Sequence, residues 1–201
     1  GIVDLSAAML QLQEEHGEPL PFSDVEQGAY YRNAVAWALK NGITGGITSS
    51  AFAPDMTCTR AQAVTFLWRA AGCPEPRVAD NPFVDVVETD YFYKAVLWAA
   101  EKGVTSGTSD TAFSPRATCS EAQIVTFVWR AQNRPAAEVP SEAAAFGGHY
   151  YADAAAWADT HGIFTATQMD FAPLREATRA SIVTYLYHSV GSGQHMQGQD
   201  N

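Results

Sequence analysis

The apolar positions of the chain occur in pairs of short segments with helical spacing. In the first pair, one segment ends at Gly42, which is typical of a helix stop, and the other begins after Thr59, a good N-cap. Gln62 follows Thr59 by three residues and predicts a capping box. Between them lies a segment rich in Gly, Ser and Thr, which predicts a loop. The first segment places four apolar side chains on one face: Ala34, Val35, Trp37 and Ala38. The pattern predicts a helix–loop–helix unit.

This unit is written three times. Its tryptophans, Trp37, Trp98 and Trp157, are separated by 61 and then 59 residues, and its Phe-x-Pro motifs by 61 and then 58. A period of this size predicts one assembly of units that cannot each bury a core alone. We expect an all-α fold divided as follows: a lead-in at 1–20 with a helix from Asp4 to His16, repeats at 21–76, 77–135 and 136–190, and a disordered tail at 191–201.

The three copies differ at the first residue of the second helix, which is Arg60, Glu121 or Arg179. A helix N-terminus favours a carboxylate, and a cation there costs about 0.3–1 kcal/mol. A bound anion would offset that cost, because free amides and an arginine fork together bind carboxylate or phosphate. Alternatively, the arginines pair with acids of a neighbouring repeat or point into water.

Smaller differences concern the loop and the caps. Gly46 and Gly107 share a position that Ala166 takes in the third copy, so a requirement for positive φ would make the third loop different. Ser181 replaces the glutamine of the capping box, which predicts an incomplete third box. Asp24 and its repeat equivalent Asp85 are expected to accept local backbone N–H bonds near a helix start.

The cysteines are odd in number. Cys58 and Cys119 share a repeat position with Ala177, which predicts a small buried side chain, with a disulfide or a metal site as alternatives. Cys73 stands outside this pattern. No Cys-x-x-Cys pair supports a zinc site.

Charge and composition exclude several classes of function. The net charge of −10 argues against nucleic acid as a partner, because phosphate binding needs clustered Lys and Arg. No apolar run approaches the ~18 residues of a membrane span, so we expect no membrane insertion. The five histidines form no metalloprotease motif, and no nucleophile elbow or phosphate loop is present. We therefore expect no catalysis, no cofactor and no metal.

Aromatic residues allow two interpretations. The three repeat tryptophans are core candidates, but a tryptophan at a groove edge can also cover the apolar face of a sugar. The same alternatives apply to the paired tyrosines: Tyr30, Tyr31, Tyr91, Tyr93, Tyr150 and Tyr151.

These elements in this order resemble the S-layer homology domain. The resemblance rests on Phe22-Ser23-Asp24-Val25 and Phe83-Val84-Asp85-Val86, on the Trp-Ala helices, on Phe-x-Pro, and on Thr59-Arg60-Ala61-Gln62 opening a helix. It implies three repeats in a pseudo-threefold, all-helical spindle that anchors a secreted protein to the bacterial cell surface. It also implies inter-repeat grooves that bind secondary cell-wall polysaccharide, through an arginine that recognises a pyruvate carboxylate. The expected ligand-binding residues are Arg60, Arg179, Thr59, Thr178, Gly46, Gly107, Trp37, Trp98 and Trp157.

Departures from the family pattern reduce the expected number of working grooves to one or two. Glu121 removes the arginine from the second copy and repels anions, so Glu121→Ala is expected to leave polysaccharide binding nearly unchanged or to improve it. In the third copy Phe146-Gly147-Gly148-His149 replaces the Phe-x-Asp-Val opening, and Phe164 replaces a threonine of the loop. An alternative function is a protein-interaction or adhesin module on a degenerate scaffold, with another surface protein as partner. A third, weaker alternative is an enzyme fragment.

Overall fold

The computed structural model describes residues 19–78, 80–136, 146–168 and 170–195. Within these ranges the chain forms α-helices joined by loops, with isolated β-bridges and no β-strand. The helices are α1 Arg32–Lys40, α2 Arg60–Ala70, α3 Tyr93–Glu101, α4 Glu121–Ala131, α5 Ala152–Thr160 and α6 Arg179–His195, with a 3₁₀ turn at Thr165–Thr167. The expected all-α class is confirmed.

Capping explains where the second helix of each pair begins. Thr59 with Gln62 and Ser120 with Gln123 each form a reciprocal capping box. In the third copy the Thr178 N–H donates to Ser181 Oγ at 2.9 Å, and the Ser181 N–H donates to Thr178 Oγ1 at 3.2 Å. The expectation of an incomplete third box was therefore wrong, because a serine hydroxyl reaches the same amide as the glutamine side chain.

The helices pack in a ring. α3 packs on α2, α5 packs on α4, and α1 packs on α6, while α2, α4 and α6 contact one another at the centre. Each first helix thus covers the second helix of the preceding repeat, and the first repeat closes the ring on the third. The apolar surface of one repeat is therefore buried by another.

Backbone hydrogen bonds follow the same cyclic order. The Arg60 N–H donates to Ala117 O, the Glu121 N–H to Arg175 O, and the Arg179 N–H to Met56 O, each at 2.9 Å. The start of each central helix is therefore bonded to the loop of the following repeat, with the third returning to the first.

A second ring of bonds joins the three equivalent small residues Cys58, Cys119 and Ala177. Their backbone N–H and C=O groups bond in a cycle, with distances of 2.8–3.0 Å. All three are fully buried, and both cysteines are free thiols. Burial raises the pKa of each thiol to about 12. The prediction of a small buried side chain is confirmed.

The loops differ between copies as the glycines suggested. Gly46 and Gly107 have φ of +85° and +88°, and a Cβ at Gly46 would lie 2.5 Å from Thr48 O. The third loop instead contains the 3₁₀ turn, with Gln168 at φ +55°. The requirement for positive φ in the first two loops is thus confirmed, and the third loop is built differently.

The expectations about Asp24 and about the chain ends have different outcomes. Asp24 does not cap a nearby helix but accepts from the amides of Phe52 and Ala53, far along the chain, because the loop folds back on it. The tail expected from residue 191 is helical as far as His195. The expected helix from Asp4 to His16 and the remainder of the tail lie outside the described residues.

Candidate functional site

Arg60, the first arginine of the second-helix motif, is buried in the junction between the first and second repeats. Its guanidinium carbon lies 4.9 Å from the ring centre of Phe113 and 5.3 Å from that of Phe127. Its Nε donates to Phe113 O at 2.8 Å, and its Nη2 donates to Thr105 Oγ1 at 3.1 Å. Arg60 is 3% exposed, so the guanidinium is engaged by the next repeat and does not point into water.

Arg179 occupies the same position between the third and first repeats, with one difference. Its guanidinium lies 4.9 Å from the ring centre of Phe52 and 5.3 Å from that of Phe66, and its Nε donates to Phe52 O at 2.8 Å. Its Nη2, however, is buried and has no hydrogen-bond partner among the described residues. Arg179 is also 3% exposed, and burial lowers its pKa, although an arginine remains protonated at neutral pH.

Arg179 lines a groove of about 290 Å³ that residues of all three repeats enclose. We call it the Arg179 groove and define it by Thr44, Gly45, Gly46, Ile47, Gln62, Thr65, Phe66, Arg69, Tyr91 and Arg179. None of these lining residues carries a carboxylate. Arg69 adds a second guanidinium, whose Nη1 donates to Ile43 O at 3.1 Å. The groove therefore combines two cations with a loop of exposed backbone and small side chains.

The backbone amides at the helix starts are not available to a ligand. The N–H groups of Arg179 and Ala180 donate to Met56 O and Pro54 O. The equivalent amides at the starts of α2 and α4 donate to carbonyls in the loop of the next repeat. The expectation of free amides beside the arginines was therefore wrong. Attraction for an anion in this groove comes from the guanidinium groups.

In the second repeat the position of the motif arginine holds Glu121, which has the opposite charge and is buried. Glu121 is 1% exposed; its Oε1 accepts from Arg175 Nε at 2.7 Å, and its Oε2 accepts from the Ala172 N–H at 3.0 Å. The hydrogen bond from Arg175 Nε to Glu121 raises the pKa of Arg175. Removal of Glu121 would leave the Ala172 N–H and Arg175 Nε without this acceptor, so we expect Glu121→Ala to destabilise the fold.

The expected tryptophans do not line the Arg179 groove. Trp98 and Trp157 are 4% and 2% exposed and belong to the core, which leaves no ring face for a sugar. Trp37 is half-buried and packs 5.7 Å from the ring of Tyr187. The core interpretation describes these positions better than the sugar-stacking one. Tyr91, in contrast, is 65% exposed at the groove.

The threonines and glycines expected at the site have mainly structural contacts. Thr59 and Thr178 bind the first turn of their own helices through their hydroxyl groups. Gly46 belongs to the Arg179 groove, while the Gly107 N–H donates to Thr105 Oγ1, the same oxygen that Arg60 contacts. The geometry thus brings Arg179 and Gly46 together and assigns the threonines to caps.

Two residues of these junctions were missed from the sequence, Arg69 and Arg175. The signal for Arg69 was present: an arginine follows the motif position by nine residues in both the first and second copies, as Arg69 and Arg130. Both donate to a carbonyl of their own loop, Ile43 O and Val104 O. No repeat signal marks Arg175, because the other copies have Met56 and Ala117 there.

Two other kinds of site are absent from the described residues. Across the described part of the chain, no group of three or more His, Cys, Asp or Glu could hold a metal ion. No helix within the described ranges has the length and apolar character needed to cross a bilayer.

Comparison with known proteins finds similarity in two segments of the chain. Residues 21–64 and 82–125 match the S-layer homology domain family, so these two segments are similar to that family. Similar proteins include a cell surface protein of Thermoanaerobacter kivui, 31% identical over 115 residues, and an endoglucanase of Bacillus sp. (strain KSM-635), 27% identical over 124 residues. A middle cell wall protein of Brevibacillus brevis is 31% identical over 93 residues.

These matches cover 55%, 62% and 45% of this chain but only 15%, 13% and 9% of the relatives. The chain therefore corresponds to a small part of each of these longer proteins. Their other regions have no counterpart in these alignments.

Proposed function

We propose that this chain is a non-catalytic module that anchors a protein to the bacterial cell wall. In this proposal it binds an anionic, pyruvylated secondary cell-wall polysaccharide, and the Arg179 groove is the principal binding site. The third helix–loop–helix unit acts as a third S-layer homology repeat, with repeat boundaries near 21–76, 77–135 and 136–190. The S-layer homology segments and the cell-surface and cell-wall relatives support the anchoring role.

The observation that carries the proposal is the unpartnered Nη2 of Arg179. A buried charged donor without an acceptor is costly, and such a group in a native protein calls for an explanation such as a ligand. A carboxylate in the groove would accept from this nitrogen and would be attracted by Arg69. A pyruvate ketal supplies such a carboxylate on an otherwise neutral sugar.

The two arginine junctions are expected to contribute unequally. Arg60 Nη2 already donates to Thr105 Oγ1, whereas the corresponding nitrogen of Arg179 has no such bond to Thr44. A ligand at Arg60 must replace or share an existing hydrogen bond, while a ligand at Arg179 satisfies an open donor. We therefore expect tighter binding at Arg179.

The test compares Arg179→Gln with Arg60→Gln by calorimetry with a pyruvylated cell-wall saccharide. Both variants lose the Nε bond to a carbonyl and one positive charge, so Arg60→Gln controls for general destabilisation and for net charge. We expect Arg179→Gln to weaken binding by about tenfold or more, as for loss of a hydrogen bond between charged groups. Arg60→Gln should change it much less.

Three outcomes would contradict parts of the proposal. Equal weakening by both variants would remove the preference for the Arg179 groove. Unchanged binding in the Arg60→Gln, Arg179→Gln double variant would exclude the arginine mechanism. Absence of saturable binding by the unaltered protein, together with retention of a second surface protein, would favour the protein-interaction alternative.

A further inference from the structure

The Phe-x-Pro loops of the first two repeats are each held by a carboxylate from their own repeat. Asp24 accepts from the Phe52 N–H at 2.8 Å and from the Ala53 N–H at 2.7 Å. Asp85 accepts from the two equivalent amides of the second repeat, each at 2.8 Å. Each aspartate thus satisfies two loop amides that point at it.

The third repeat has no such aspartate. Asp24 and Asp85 each precede the tryptophan of their repeat by 13 residues, and the sequence of the third repeat has Ala144 at that spacing. The loop amide nevertheless has a carboxylate partner, because the Ala172 N–H, equivalent to that of Ala53, donates to Glu121 Oε2 at 3.0 Å. Glu121 of the second repeat therefore provides this loop amide with a carboxylate partner.

Glu121 can reach this loop because it occupies the position of the motif arginines. Where Arg179 donates through its Nε to a carbonyl of the next loop, Glu121 accepts from an amide of the next loop. Its second oxygen accepts from Arg175, which partly neutralises the buried charge. One residue thus removes the guanidinium from this junction and replaces the missing loop carboxylate.

We propose that Glu121 is a specificity-determining residue that stands in for the absent aspartate of the third repeat and withdraws this junction from anion binding. The carboxylate of Glu121 already pairs with Arg175. An external carboxylate would therefore be repelled by Glu121, without a free guanidinium to attract it. The absence of an aspartate at position 144 and the absence of an arginine at position 121 are then one coupled change. In this proposal the junction at Glu121 binds no anion, which leaves the junctions of Arg60 and Arg179 as the candidate grooves.

The first test measures amide exchange and stability, and it needs no ligand. Glu121→Gln should accelerate hydrogen exchange of the Ala172 amide by about tenfold or more relative to its neighbours and lower the Tm by roughly 6 °C or more. The matched control is Glu75→Gln, which breaks the exposed ion pair with Lys94 and should leave both readouts nearly unchanged. Unaltered Ala172 exchange in Glu121→Gln would overturn the proposed role.

The second test rests on the proposed function and uses Glu121→Arg, which restores the residue found in the other two repeats. We expect a lower Tm and no additional saccharide-binding site by calorimetry, because the third loop then lacks its carboxylate. A stable Glu121→Arg variant with one more binding site than the unaltered protein would overturn the proposal. If the unaltered protein binds no saccharide, the proposed function fails, while Ala172 exchange still decides the role of Glu121.

Discussion

At the scale of single residues, equivalent positions perform different tasks because their partners differ. Arg60 and Arg179 have equivalent aromatic neighbours and equivalent bonds to a carbonyl, yet of the two only Arg179 has a buried nitrogen without a partner among the described residues. Glu121 reverses the charge and becomes a structural link to the third repeat. The chemistry at this position is set by the loop of the next repeat.

Asp24 allows a prediction at this scale. Burial raises the pKa of its carboxyl, but hydrogen bonds from the Phe52 and Ala53 amides outweigh that effect, and the pKa lies below the ordinary value. A lowered pKa stabilises the fold above the unfolded-state pKa, and that stabilisation is lost as pH falls through the folded-state value. Asp24→Asn should cost about 1–3 kcal/mol at pH 7 by urea unfolding.

The difference in stability between Asp24→Asn and the unaltered protein should shrink below about pH 4, where the unfolded aspartate binds a proton, and should shrink further as the pH falls through the lowered pKa of the folded state. Asp55→Asn is the control, because Asp55 is exposed and the substitution changes net charge equally. A stability loss that is the same at pH 3 and pH 7 would show that ionisation of Asp24 contributes nothing.

At the scale of elements, the loops determine where the groove residues lie. The first loop turns at Gly46 with φ of +85°, and a Cβ there would meet Thr48 O, Ala51 O and the ring of Phe22 at 2.5–2.6 Å. The loop is pinned against the aromatic ring that opens the repeat. The Arg179 groove depends on this turn because Gly46 forms part of its wall.

Gly46→Ala and Gly42→Ala together separate backbone strain from steric overlap. Both glycines have positive φ, but a Cβ at Gly42 meets nothing within 4 Å. Gly46→Ala should therefore cost about 1–3 kcal/mol more than Gly42→Ala in urea unfolding and should also weaken saccharide binding. Equal costs for the two variants would mean that the loop relaxes without strain.

At the scale of the whole molecule, the repeats form a closed ring. α1 has its partner helix, α6, in the third repeat, and the loop carbonyls of Met56 and Pro54 accept from the start of α6. A chain that loses the third repeat loses both the partner of α1 and the donors to the first loop. Stability therefore belongs to the ring of three repeats.

Truncation after Ala136 tests this dependence. We expect the shortened chain to show no cooperative thermal transition and little near-ultraviolet circular dichroism, because apolar faces of α1, α2 and α4 lose their cover. The full chain should unfold in one transition. A cooperative transition in the truncated chain would show that two repeats suffice for a stable core.

The sequence predicted much of this molecule because the relevant signals are local. Helix periodicity, the capping box of Thr59 and the stop at Gly42 depend on neighbours within a few positions, and each was found as expected. Repetition also identified the position at which the copies differ. Local patterns therefore determined the class of fold and pointed to Arg60, Glu121 and Arg179.

Only the tertiary structure decided what those side chains contact. The amides expected to be free are bonded to another repeat, Asp24 serves a distant loop, and Glu121 is tied to Ala172 and Arg175. These partners lie 28 to 57 residues away in the chain, or, for the start of α6, in the first repeat. Such pairings depend on how the helices pack around the centre. The periodicity of the sequence does not specify that packing.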